Sequence, residues 1–190
     1  MSTKHHLIVG GQRSGKSRHA ERLAQQWLAQ DPTHRVKVVA TALAWDDEMR
    51  LRIARHQAER PARMATVEEP LLLSRVLREQ AEPGCLLLVD CLTLWLTNWL
   101  MPMHGDTDRS AWAQERQAML YVLASLQTPV VLVSNEVGWG IVPMSAQVRD
   151  FVDELGWLNQ DVARRCEQLT LMVAGQAWSR PVSPEQTEGV

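Results

Sequence analysis

Eight consecutive residues, Gly10, Gly11, Gln12, Arg13, Ser14, Gly15, Lys16 and Ser17, fit the pattern G-x-x-x-x-G-K-[ST] directly after a short apolar run. Chemistry on a polyphosphate asks for this set. Backbone N–H groups must wrap the phosphates, and glycines keep side chains out of the approach and admit positive φ angles. Lys16 is placed to bring charge to the β- and γ-phosphates and Ser17 to ligate Mg²⁺, while the start of the following helix adds its partial positive charge. Arg13 reads either as a further phosphate contact or as an exposed loop arginine. A phosphate-bound Mg²⁺ also asks for a carboxylate at the end of a neighbouring buried strand, and Asp90 closes the run Cys85-Leu-Leu-Leu-Val-Asp90. An aspartate there serves equally as a cap for a turn or for the next helix. His56 is spaced 3 from Ile53, 7 from Met49 and 4 from Arg60, so the four share one face of a helix. From spacing alone, such a histidine is a packed core residue or a nucleophile.

Positioning these groups requires strands that end near one another. Short apolar runs at 7–9, 36–41, 85–90, 130–134 and 169–173 alternate with helical patterns at 16–30, 46–59, 70–80, 92–100, 109–126 and 146–168. That alternation predicts an α/β fold with a mostly parallel sheet covered on both faces. A break is expected near Gly156. Residues 1–175 read as a single nucleotide-binding domain, and the Pro- and Ser-containing tail 176–190 is expected to fray. Asn135, Glu136, Gly138 and Gly140 form a loop after the fourth predicted strand, at the edge where ligands bind in open α/β sheets.

Composition narrows the function. The chain has 190 residues, 45% of them hydrophobic, and a formal charge of −2, which gives no positive field for nucleic acid or anionic lipid. Its three cysteines form no C-x-x-C pair, which argues against a zinc ribbon or disulfide framework and for a reducing cytoplasm. The N-terminal apolar stretch is too short for a signal peptide, and 92–100 is too short for a membrane span. The phosphate loop alone leaves a triphosphatase, a kinase, a nucleotidyl transferase or a nucleotide-dependent switch open.

Further motifs decide among these. Gly10-Gly-Gln-Arg-Ser-Gly-Lys-Ser-Arg-His-Ala-Glu, Ala40-Thr-Ala, Asp46-Asp-Glu-Met, Arg52-Ile-Ala-Arg-His56-Gln-Ala-Glu-Arg60-Pro61, Asp90-Cys-Leu-Thr and Asn135-Glu-Val-Gly-Trp-Gly-Ile-Val-Pro143 occur in this order. From residue 7 to 175 the chain resembles the bifunctional adenosylcobinamide kinase/adenosylcobinamide-phosphate guanylyltransferase family. The resemblance implies a three-layer fold of the P-loop NTPase type and two reactions of cobalamin biosynthesis. In the first, the hydroxyl on the aminopropanol arm of adenosylcobinamide is phosphorylated from ATP or GTP. In the second, GMP passes from GTP to that phosphate, giving adenosylcobinamide-GDP and pyrophosphate. It further implies that His56 is the guanylylated nucleophile and that Ala40, Thr41, Ala42, Gln57, Ala58, Glu59, Arg60, Glu68 and Asp90 contact nucleotide. Mg²⁺, held by Ser17 and Asp90, and a homo-oligomer, a trimer, belong to the same expectation. Trp139 reads as a flank for the corrinoid or as a packed turn residue. Trp95 and Trp99 read as core or subunit contact.

Overall fold

The computed structural model describes residues 5–43 and 63–182. Seven strands, β1 (His5–Gly10), β2 (Arg35–Ala40), β3 (Met64–Glu68), β4 (Cys85–Asp90), β5 (Val130–Val133), β6 (Gln168–Val173) and β7 (Gln176–Pro181), make one sheet in the order β3-β2-β4-β5-β1-β6-β7. Every pairing is parallel except β6 with β7. The described helices are α1 (Lys16–Gln30), α2 (Leu73–Glu79), α3 (Leu92–Leu100), α4 (Arg109–Ser125) and α5 (Ala146–Ala163). None is long and apolar enough to cross a membrane.

The apolar runs of the central strands serve two cores, because alternate residues point to opposite faces. On one face Leu7, Val9, Val39, Leu87, Val89, Val130 and Leu132 pack with the helices α2 to α5. On the other, Ile8, Val36, Val38, Leu86, Leu88, Val131 and Val133 meet α1 through Ala20, Ala24 and Leu28. Those three share one stripe of the helix, and the two alanines let it lie close to the sheet. This is the expected three-layer α/β arrangement.

α3 goes into the first of these cores. Leu92, Trp95, Leu96 and Leu100 are buried, and Trp95 lies edge-on to Trp112 with ring centroids 5.0 Å apart. The indole N–H groups of Trp95 and Trp99 both donate to the Leu71 carbonyl, at 2.7 and 3.2 Å. The Trp95 reading is thereby resolved to core.

Four expectations change. Gly156 does not break α5, since Leu155, Leu158 and Val162 are buried along it and their packing outweighs the ~1 kcal/mol that a helical glycine costs. The last helix stops at Ala163, and β6 starts at Gln168. β3 was absent from the strand pattern because it is a half-exposed edge of five residues, Met-Ala-Thr-Val-Glu. Residues 176–181, assigned to the fraying tail, instead pair as β7 with β6 through the two-residue turn Ala174-Gly175. Both turn residues have positive φ, 50° and 79°, the geometry that matches the twist of paired strands. β7 is exposed along its whole length, so no burial pattern announces it. The expected helix 46–59, with His56, Gln57, Ala58 and Glu59, lies outside the described residues, as do Arg60 and 183–190.

Candidate active site

Parallel strands send their carboxyl ends to one edge, and the site is built there. In register, Ala40 pairs with Glu68 on one side and with Asp90 on the other, and Asp90 pairs with Val133. The structure therefore brings Ala40, Glu68 and Asp90 into one row. Glu68 is exposed at the end of the edge strand β3. Its neighbour Glu69 is the carboxylate that starts α2: it accepts from the Leu71 and Leu72 N–H groups at 3.1 and 2.9 Å and pairs with Arg75 at 2.8 Å.

The phosphate loop leaves β1 at Gly10. With φ at +152°, a Cβ there would stand 2.4 Å from the Met172 carbonyl oxygen, so only glycine fits. Gly15, at φ +101°, ends the loop. Gly11, Gln12 and Arg13 are exposed, Arg13 at φ 57°, while Ser14 is buried and Ser17 half-buried. The loop is braced from the far side, where the Gly175 N–H at the tip of the β6–β7 turn donates to the Ser14 carbonyl at 2.9 Å. The Ser14 Oγ is buried without a hydrogen-bond partner, as is Ser134 Oγ at the end of β5.

Lys16 is buried and folds back over the loop, its Nζ donating to the Gly11 carbonyl at 2.7 Å. Burial pulls its pKa down, and the Asp90 carboxylate opposes that. Lys16 and Asp90 thus interact electrostatically at the same sheet edge. Cys91 itself stays a neutral thiol, since burial first and Asp90 second push it up to about 11.

Thr41 is fully buried. Its hydroxyl donates to the Cys91 carbonyl at 2.7 Å and accepts from the Cys91 N–H at 2.9 Å, so it fastens the end of β2 to the end of β4. Asn98 holds the Thr41 carbonyl at 2.8 Å, and Ala42 is half-buried in the segment that follows. Sequence reasoning gave Asn98 and Thr93 no role. The Thr93 hydroxyl accepts from the Asn135 N–H at 2.8 Å, and only the folding of α3 beneath the β5 loop reveals it.

Three other histidines, of the same residue type as the expected nucleophile, are engaged in contacts of their own. His34 stacks on Trp27 at 3.9 Å, and His6 hydrogen-bonds Thr170 Oγ1 at 2.7 Å. His19 Nδ1 meets Arg22 at 2.7 Å and its ring meets His6 edge-on. Burial and the neighbouring His19 hold His6 down to about 4, and burial with Arg22 lowers His19, so both rings stay neutral near pH 7.

After β5 the chain enters the loop that contains Trp139. This side chain is 72% exposed, which removes the packed-turn reading. Between this loop and α5 lies a cavity of about 440 Å³ lined by Val137, Ile141, Arg149, Asp153, Trp157 and Gln160, among others.

Residues 6–179 match the protein family described as CobU, cobinamide kinase / cobinamide phosphate guanyltransferase. The chain belongs to this family. A bifunctional adenosylcobalamin biosynthesis protein, CobP, from Pseudomonas aeruginosa is 52% identical over 89% of this chain and 92% of its own length. Relatives named CobU from Escherichia coli and Salmonella typhimurium are 37% and 38% identical, each over 89% of this chain and 95% of its own. The family's match begins just before the phosphate loop and runs into β7, so it spans the whole sheet edge just described.

Proposed function

We propose that this member of the family phosphorylates the aminopropanol hydroxyl of adenosylcobinamide from ATP or GTP, then transfers GMP from GTP through guanylylated His56 to give adenosylcobinamide-GDP and pyrophosphate. The observation that carries the reading is one built triphosphate site, the Gly10–Ser17 loop with Lys16 folded over it and Asp90 at the same carboxyl edge of the sheet, in a chain of this family.

The loop N–H groups and the start of α1 take up the phosphates, and a bound triphosphate replaces the Gly11 carbonyl as the partner of the Lys16 ammonium. The ammonium's charge counts for more in this buried position than it would in water. A hydroxyl from Ser17 and a carboxylate from Asp90 are hard oxygen donors and fit Mg²⁺, which supplies neutralisation of phosphate charge when bound. Among the described residues no cluster of three or more His, Cys, Asp or Glu side chains could hold a metal, which fits a cation that takes its remaining ligands from phosphate and water. Asp90→Asn is expected to weaken Mg²⁺-dependent turnover by about 10–100-fold while leaving metal-free nucleotide binding nearly intact. A Mg²⁺ titration of both quantities checks this.

Ala40, Thr41, Ala42, Gln57, Ala58, Glu59, Arg60 and Glu68 complete the nucleotide contacts in this reading. Thr41, whose hydroxyl, carbonyl and N–H are engaged with Cys91, Asn98 and Asp90, serves this set by holding its neighbours Ala40 and Ala42 in place. In the second half-reaction a neutral imidazole nitrogen of His56 attacks the α-phosphorus and pyrophosphate leaves, then the phosphate of adenosylcobinamide phosphate attacks the phosphoramidate and frees the ring. The structural engagement of His6, His19 and His34 favours His56 for this step.

The enzyme acts in the cytoplasm, where Cys85, Cys91 and Cys166 stay as the free thiols they are here. It assembles as a homo-oligomer, a trimer. The greasy stretch 92–100 is spent on the chain's own core, so the surface that supports assembly is the exposed apolar stretch with Ile141 and Met144, both 97% exposed.

The test is incubation of the protein with Mg²⁺ and GTP labelled at the α- or γ-phosphate, followed by denaturing electrophoresis, beside turnover of adenosylcobinamide. Retained α-label without γ-label is expected, together with adenosylcobinamide-GDP. Absence of covalent label and of corrinoid turnover refutes the reading.

A further inference from the structure

The two half-reactions make different demands on a proton. In the first the acceptor is an alcohol, whose proton must leave as its oxygen bonds to the γ-phosphorus. In the second the acceptor is a phosphate, already anionic at neutral pH. A base for the hydroxyl is therefore needed by the kinase alone, and it must stand beside the phosphate loop.

One carboxylate outside the loop–Lys16–Asp90 constellation occupies such a position. β5 lies between β4, which ends in Asp90, and β1, which ends in the phosphate loop. The chain leaving β5 is pinned at this edge by four hydrogen bonds. Ser134 N–H donates to the Ile8 carbonyl at 2.9 Å and Glu136 N–H to the Gly10 carbonyl at 3.1 Å. Asn135 donates its N–H to Thr93 Oγ1, and its carbonyl accepts from Asn159 Nδ2 at 3.0 Å. Glu136 thereby has a fixed backbone one hydrogen bond from the first residue of the loop. Glu136 is half-buried, and the Asn159 amide that holds the preceding carbonyl lies beside it. The residues that follow, from Val137 on, wall the 440 Å³ cavity together with α5, including Gln160 next to Asn159. Glu136 thus sits in the chain between the phosphate loop, which its N–H touches, and the residues that wall the cavity.

We infer that Glu136 is the catalytic residue that takes the proton from the acceptor hydroxyl in the phosphorylation half-reaction, and that the cavity beside it admits the arm bearing that hydroxyl. The inference rests on the kinase reading above. In the step, the hydroxyl oxygen forms a bond to the γ-phosphorus, the bond from that phosphorus to the β,γ-bridging oxygen breaks with its electron pair going to the departing diphosphate, and the hydroxyl proton passes to the Glu136 carboxylate and thence to water. The charged groups on the elements around Glu136 are Asp90 at the end of β4, Lys16 at the head of α1, and Arg149 and Asp153 on the α5 side of the cavity. Burial raises its pKa and the nearby Asn159 amide lowers it, with burial the larger, so proton uptake is stronger than for an exposed glutamate. A base must be ionised before it acts. The kinase kcat should accordingly rise with pH through the raised Glu136 pKa, giving an acid limb that the guanylyl transfer lacks.

The experiment compares full-length wild type, Glu136→Gln and Glu136→Asp in the two half-reactions separately, phosphorylation of adenosylcobinamide by ATP and GMP transfer from GTP onto supplied adenosylcobinamide phosphate. Glutamine keeps the size and polarity of the side chain and loses the base. For Glu136→Gln, kinase kcat is expected to fall about 10²-fold, with loss of the acid limb and little change in the KM for ATP. GMP transfer should stay within about threefold of wild type, since its acceptor needs no deprotonation. Glu136→Asp, a retracted carboxylate, should restore part of the kinase rate and keep the limb. A kinase rate within threefold of wild type in Glu136→Gln overturns the assignment. So does a parallel fall of both half-reactions that Glu136→Asp does not relieve, which would mark a structural residue. If Glu136→Gln does not fold, an unaltered kinase kcat and pH profile in Glu136→Asp overturns it equally. Wild-type protein that phosphorylates no adenosylcobinamide would instead refute the kinase reading itself.

Discussion

Lys16→Ala should cut both half-reactions by about 10²–10³-fold, the range seen when one preorganised donor to developing charge is removed. The reason lies in the shared site. Each half-reaction begins from a triphosphate seated on the Gly10–Ser17 loop, and the Lys16 ammonium is the cation that its buried position points at that loop. The fold should survive, because the described partner of Nζ is the carbonyl of Gly11, an exposed residue that water can reach. Lys16→Arg should rescue little, since a planar fork does not fit where a compact ammonium sits. Initial rates with adenosylcobinamide and with its phosphate, beside a thermal melt, check the expectation. Near-normal rates in a folded Lys16→Ala protein would remove the loop from the mechanism.

His56→Ala should separate the two activities. Transfer of a γ-phosphoryl group in line to an alcohol needs no covalent enzyme intermediate, so the kinase should keep its rate within about threefold. GMP transfer should fall to background, because removing the nucleophile removes the intermediate. The α-label retained by wild type should disappear, and in wild type it should be released by acid and survive mild base, as a phosphoramidate does and a serine phosphodiester does not. Peptide mapping should place it within residues 46–60. Label on His19, or wild-type formation of adenosylcobinamide-GDP by His56→Ala, would return His56 to a packed helix position. Together with Glu136→Gln, the two variants should divide the chemistry in opposite directions, each losing the half-reaction that the other keeps.

What the residues disclosed in advance was whatever is local. The phosphate loop is eight consecutive residues, and β4 announces itself through five buried positions before Asp90. The central strands, buried on both faces, read as apolar runs for the same reason. Edges were less legible. β3 is half exposed and β7 fully so, and neither carries a burial period that a pattern could detect. Gly156 was misread because a helix tolerates a glycine when Leu155, Leu158 and Val162 hold it in place, and those contacts come from elsewhere in the chain. In the site, Thr41 shows the same limit: its residue type suits a nucleotide contact, but its hydroxyl is tied to Cys91, fifty positions away. The Asn159 amide that anchors the Glu136 segment stands on a helix whose docking no spacing rule encodes. The histidines were separable only by resemblance, since the stacking of His34 on Trp27 and the contact of His19 with Arg22 belong to packing and rotamer choice.

The hairpin tip at Ala174-Gly175 has a consequence for how occupancy can be read. Its Gly175 amide is hydrogen-bonded to the Ser14 carbonyl, inside the segment that must wrap the phosphates. Tip and loop are therefore coupled, and a ligand that orders the loop is expected to slow the exchange of the Gly175 amide with solvent. Such linkage is reciprocal. Loosening the β6–β7 turn lowers nucleotide affinity by the free energy that couples it to the loop, and this makes an exposed edge hairpin, distant in sequence from every reacting group, a gauge of the triphosphate site and a place from which its affinity can be tuned.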